Sequence, residues 1–214
     1  MITLFIDTSS TDVSIALVKD NNILSHITKT IPNQHSIYTT SYIDTVLKDS
    51  NLEPSDIDKI MVVNGPGSFT GVRIGVTIAK VFAYILNIDI VCLSSLKIRA
   101  ISTSHNYCLS LINANRENYY LGLYDKNNNE LIKEQFNSKE EVIKLIDEYK
   151  PTIATDNDLT IDDLNISKTN LDIISIVNYY QDAPSINPHL VVPNYLKLAQ
   201  ALEEKNDKRN NWIR

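Results

Sequence analysis

Twice along its 214 residues this chain runs through the same order of hydrophobic patterns: three alternating segments, a segment of helical period, a short apolar run, a second helical segment and a further apolar run. Alternation sends successive side chains to opposite faces of a strand, whereas apolar residues three and four apart share one face of a helix. The first copy predicts strands at 2–6, 12–18 and 22–28, a helix beginning near Asn33 and a strand from Lys59 to Asn64. A helix from Thr70 to Leu86, a strand from Ile88 to Leu93 and a helix capped near Ser94 or Ser95 complete it. The second copy predicts strands at 107–112, 119–124 and 130–136, a helix at 139–149, a strand at 152–155, a short, poorly patterned helix from Leu159 to Leu164 and a strand at 171–177. Turn residues separate these segments: Asp7-Thr8-Ser9-Ser10, Asp20-Asn21-Asn22 and, in the second copy, Lys126-Asn127-Asn128-Asn129. The pattern reads as an N-terminal lobe over 1–100, a reduced C-terminal lobe over 101–192 and a charged, helical tail over 193–214, entered through Pro184, Pro188 and Pro193.

With 43% hydrophobic residues the chain can bury a sizeable core without metals or disulfides. Its net charge of -6 disfavours a basic surface wrapped on a phosphate backbone, so any nucleic acid it serves is expected to be gripped by another subunit. Asp7 interrupts the N-terminal apolar run and no basic segment precedes it, which points away from an export signal. The uninterrupted apolar run from Val81 to Leu86 is short for a membrane span, and a cytoplasmic protein with no membrane partner is expected. Cys92 and Cys108 lie in apolar segments without Cys-x-x-Cys spacing, as buried reduced thiols do.

Two such α/β units facing each other across a cleft resemble the actin, sugar-kinase and Hsp70-like (ASKHA) superfamily, two ribonuclease-H-like lobes with mixed sheets. In that superfamily the first hairpin cradles a phosphate, and a glycine two positions after the Asp lets the backbone come close. Here Ser9 stands at that position, so Asp7, Thr8 and Ser9 read as a vestigial phosphate turn. The run Gly65-Pro66-Gly67-Ser68-Phe69-Thr70-Gly71-Val72-Arg73-Ile74-Gly75 follows a strand and opens a helix, but Val72-Arg73 replace the lysine and hydroxyl residue of a Walker loop. Along that helix Gly71, Gly75, Ala79 and Ala83 recur every four residues and share one face, which either packs on the protein's own sheet or admits a partner subunit closely. On the preceding helix His35 has Thr39, not a second histidine, one turn on, so a zinc pair is absent. Tyr38 and Tyr42 form an aromatic ridge suited to an interface.

Together, Ile6-Asp7-Thr8-Ser9, His35-Ser36 and above all the Gly65-to-Gly75 run resemble the TsaB (YeaZ) family of bacterial threonylcarbamoyladenosine synthesis proteins. Pro193-Asn194-Tyr195-Leu196-Lys197 resembles a further family motif that usually ends in Arg, and Asn113-Ala114-Asn115 stands where the family tends to have Asp-Ala-Arg, with Arg116 close by. The resemblance implies a non-catalytic subunit without cofactor or metal, pairing with the transferase TsaD in an assembly completed by the ATPase TsaE. It would meet tRNA indirectly, through that complex, and could form a homodimer when alone. It also implies a partner surface on the first two helices, comprising His35, Tyr38, Tyr42, Gly67, Ser68, Phe69, Thr70, Gly71, Arg73, Gly75 and Ala79. Rival readings are a sugar-kinase-like ATPase or phosphotransferase and a metallopeptidase.

Overall fold

In the computed structural model, which describes residues 1–32 and 34–196, each copy of the pattern builds one sheet. The first is five-stranded in the order β3-β2-β1-β4-β5, from β1 (Ile2–Asp7), β2 (Asp12–Lys19), β3 (Asn22–Thr30), β4 (Lys59–Gly65) and β5 (Asp89–Ser94). The hairpin strands pair antiparallel, β1 with β4 and β4 with β5 parallel. The crossovers that parallel pairing requires are α1 (His35–Asp49) and α2 (Phe69–Leu86). A second sheet, β8-β7-β6-β9, repeats the order of the first four strands with β6 (Tyr107–Asn113), β7 (Asn118–Asp125), β8 (Glu130–Ser138) and β9 (Thr152–Thr155). Between the two sheets the chain passes through α3 (Ser95–Ile101), and α4 (Lys139–Tyr149) links β8 to β9.

The two-residue period sorts the first sheet cleanly. Leu4, Ile6, Ile15, Leu17, Ile60 and Val62 point to one face, where Ile43 and Val46 of α1 and Val72, Val76 and Ala79 of α2 close over them. Phe5, Ala16, Val18, Met61, Val63 and Leu93 point to the other face. Asp20 and Asn21 take positive φ of 46° and 64° at the tip of the β2–β3 hairpin, and Asn128 takes 61° in the equivalent β7–β8 hairpin of the second sheet. Asn tolerates that conformation, and Asp125 Oδ1 accepts from the Asn127 and Asn129 amides there, at 2.8 Å each.

Two elements differ from expectation. The helix predicted at Leu159 to Leu164 is a small hairpin, β10 (Leu159–Ile161) and β11 (Leu164–Ile166), turned at Asp162 with φ 50°. The strand predicted at 171–177 is a helix, α5 (Ile173–Tyr179), whose β-branched residues imitate a strand. Its period betrays it: Ile173, Ile176 and Val177 share the face that packs on Phe5, Ala16 and Val18. Asp172 caps it, with Oδ1 accepting from the Ser175 amide at 3.1 Å.

Because α5 packs on the first sheet, the lobes exchange chain. Beyond α5 the Ile186 amide donates to Ile90 O at 2.9 Å, the Asn194 amide to Asn64 O at 2.7 Å, and Val191 enters the α1–α2 core. Residues 171–194, assigned from the linear pattern mainly to the C-terminal lobe, thus complete the N-terminal one. The expected helical tail lies, beyond Leu196, outside the described residues. Helix α2 has the length and composition of a membrane-crossing helix, yet Gly71, Val72, Gly75, Val76, Ala79 and Ala83 are covered by the protein itself.

Candidate partner surface

The glycine-rich run serves first to lock α2 onto the β1–β2 turn. Ser68 caps α2, its Oγ accepting from the Gly71 amide at 3.2 Å, while its own amide donates to Ser9 O at 2.7 Å. Thr8 Oγ1 donates to Gly71 O at 2.7 Å. A Cβ on Gly67 would fall 2.2 Å from Ser9 O, one on Gly71 2.1 Å from Thr8 O, and one on Gly75 2.3 Å from Thr8 Oγ1. Only a hydrogen fits at these three positions. The small-residue stripe therefore faces the molecule's own turn and sheet, with Ala79 and Ala83 fully covered. Gly71, Gly75 and Ala79 are thereby corrected: packed inside, they offer no surface to a partner.

His35 is corrected in the same way. It is buried, and its Nε2 donates to Ser10 O at 2.8 Å, tying the start of α1 to the β1–β2 turn. Thr39, one turn on, donates its hydroxyl to His35 O at 2.6 Å. The vestigial phosphate turn is occupied by its own backbone: Asp7 Oδ1 accepts from the Ser9 amide at 2.8 Å, and Thr8 is committed to Gly71. Among the described residues no three His, Cys, Asp or Glu side chains gather closely enough to hold a metal ion.

What remains exposed is the outer face of the helix pair. Phe69 is 57% exposed at the start of α2, and the Arg73 guanidinium lies 3.7 Å over its ring centroid. Arg73 Nε also donates to the Tyr195 hydroxyl at 2.6 Å, and the Tyr195 ring stands 5.6 Å from Phe69. This stack orders a large apolar ring and an arginine at the surface before anything binds, which lowers the entropy cost of using them. Behind it runs a groove of about 470 Å³ between α1 and α2, lined by Ser36, Thr40, Thr70, Arg73, Ile74 and Ile78 among others. Helix α1 contributes exposed Ile37 and Tyr38, and Tyr38 stacks on half-buried Tyr42 at 5.7 Å. The fold thus brings Phe69, Thr70 and Arg73 together beside the groove, with Ser68 exposed at the start of α2, while Tyr38 and Tyr42 stack on a part of α1 that does not line it.

Sequence reasoning missed Tyr195 as a member of this face, because the contact spans 122 positions of chain. It also missed three buried charged residues that line cavities in the cleft between the lobes, Asp7, Arg99 of α3 and Asp156 just after β9. A lone arginine between Ile98 and Ala100 on an apolar helix was the available signal. Asn113 and Asn115 line a second cavity in that cleft, of about 410 Å³, where Asn113 Oδ1 accepts from the Asn115 amide at 2.8 Å. Lys197 lies outside the described residues.

Residues 22–203 match the model of the family described as TsaD, tRNA N6-adenosine threonylcarbamoyltransferase. The tRNA threonylcarbamoyladenosine biosynthesis protein TsaB of Bacillus subtilis is 29% identical over 94% of this chain and 96% of its own length. The protein of that name from Escherichia coli is 33% identical over 44% of this chain and 40% of its own. The solved structure of YeaZ from Pseudomonas aeruginosa superposes with a TM-score of 0.78 at 20% identity, over 91% of this chain and 99% of that one, and so shares its fold. The chain belongs to the TsaD family and, within it, to the TsaB (YeaZ) group.

Proposed function

We infer that this protein is the non-catalytic subunit that pairs with the transferase TsaD in making threonylcarbamoyladenosine in tRNA. One observation carries the reading: Phe69 and Arg73, stacked with Tyr195, stand exposed beside an open groove between α1 and α2, although the same helices bury their other faces well. Aromatic and arginine side chains so placed are the commonest energetic anchors of interfaces. A helix pair seated on this face would continue the packing of α1 and α2. Relatives named for tRNA threonylcarbamoyladenosine biosynthesis supply the identity of the process. The ATPase TsaE would join the assembled pair, tRNA would be met through the complex, and the same face would support a homodimer when TsaD is scarce. Work on tRNA puts this assembly in the cytoplasm.

Co-purification with tagged TsaD, followed by the stoichiometry of the complex, tests the pairing. Reconstitution tests the role: tRNA modification at full rate in the absence of this subunit would refute it.

A further inference from the structure

The cleft between the lobes holds a charged constellation that the partner surface does not use. A cavity of about 280 Å³ is lined by Asp7, Ser10, Arg99 and Lys168 among others. Arg99 is 3% exposed, and its guanidinium carries five N–H donors. Among the described residues only one protein acceptor meets them, Ser95 O, 2.5 Å from Nη1, while Nε is buried without a partner. A cation so enclosed is costly unless something compensates it.

The acids around it do not do so directly. Asp12 is already spent, accepting from Thr30 Oγ1 at 2.8 Å and from Lys168 Nζ. Asp7 uses Oδ1 for the Ser9 amide. Asp156 is 6% exposed, and burial raises its carboxyl above the ordinary value, with Arg99 opposing the shift and Asp7 adding to it. Asp156 lines the neighbouring cavity of about 410 Å³, not this one, and among the described residues Arg99 makes no ion pair with it or with Asp7. At the far wall His26 is engaged by Ser14 and Thr28 at 3.1 and 2.8 Å.

A simple anion entering this space would meet Arg99 but be repelled by Asp7, and a simple cation would meet the reverse. A molecule carrying both charges satisfies both walls, and the cavity lies just below the size of drug-binding pockets, which suits a small metabolite. We propose that this interlobe cavity binds a zwitterion of α-amino-acid size, its carboxylate on Arg99 and its ammonium on Asp7. None of the exposed α1–α2 residues takes part, so the site stands or falls independently of TsaD pairing.

Calorimetric titration of the full chain with the standard amino acids, one at a time, tests this, with acetate and ethanolamine as the separated halves. At least one amino acid should bind about tenfold or more tighter than either half, a difference of about 1.4 kcal/mol. Arg99→Gln should abolish that preference, and the isosteric Asp7→Asn should weaken binding about tenfold or more. Should Arg99→Gln fail to fold, Asp7→Asn decides. Absence of binding by every amino acid at about 10 mM, or amino-acid binding that Asp7→Asn leaves unchanged, overturns the proposal.

Discussion

Replacing Gly75 with alanine separates a stripe that packs inside from one that meets a partner. The added Cβ would lie 2.3 Å from Thr8 Oγ1, with Thr8 Cβ at 3.5 Å behind it, so the threonine must swing away and surrender its bond to Gly71 O. Overpacking of this kind costs about 1–3 kcal/mol, and the lost hydrogen bond about 0.5–1.5 kcal/mol. Against this, alanine gains about 1 kcal/mol of helix propensity over glycine. Gly75→Ala should therefore be destabilised by about 0.5–3.5 kcal/mol, from the balance of those terms. For a chain of this size that lowers Tm by about 1–14 °C. Urea unfolding followed by circular dichroism measures it. Thr8→Ala removes the obstructing oxygen, so the double variant should recover about 1 kcal/mol or more relative to the sum of the single changes. Gly71→Ala supplies the control. Its Cβ would meet the Thr8 backbone oxygen at 2.1 Å, which Thr8→Ala does not remove, so no rescue is expected. A Gly75→Ala protein more stable than the parent, by the amount helix propensity alone supplies, would refute this packing argument.

Phe69→Ala with Arg73→Ala should weaken capture by tagged TsaD about tenfold or more while leaving stability within about 0.5 kcal/mol; undiminished capture moves the interface elsewhere. Burial pushes the Cys92 thiol up to about 11 and the Cys108 thiol up to about 12, from 9.0. Their contribution to stability is full below pH 9.0 and is lost as pH rises through those values, because the unfolded chain releases the protons first. Unfolding measured across that range should show Cys108→Ala losing less stability than the parent. Glu134 is held by Ser94 Oγ and by the Tyr124 hydroxyl at 2.9 Å, yet burial raises its carboxyl above 4.5. Its favourable contribution is present below pH 4.5 and lost as pH rises through the higher folded value. Glu134→Gln, which keeps an acceptor, should be the more stable protein at pH 7, with the advantage fading in acid; equal stability at pH 7 would contradict the burial effect.

The strands and the longer helices were legible because hydrophobic period is a local property. Leu4, Ile6, Ile15 and Leu17 alternate whether or not the sheet is formed, and Gly65 to Gly75 sits between a strand and a helix by order alone. Where periods compete over short stretches the reading failed. Ile173-Ile174-Ser175-Ile176-Val177 satisfies strand composition, and its contact with the first sheet, together with the Asp172 cap, makes it a helix. Leu159 to Leu164 is too short for either period to dominate, and a turn at Asp162 settles it as a hairpin.

The sequence alone determined the order of elements as far as β9, the repeated three-strand, helix, strand pattern, the missing second histidine beside His35 and the family resemblance, since each is written in residue type and spacing. Which face of α2 looks outward was decided only by tertiary structure. A stripe of glycine and alanine permits close approach by any neighbour, and nothing local says that the neighbour is Thr8 of the same chain. The same holds for the burial of Arg99 and Asp156, and for Tyr195, whose partner Arg73 comes from a distant segment, because burial and long-range contacts are properties of the assembled fold.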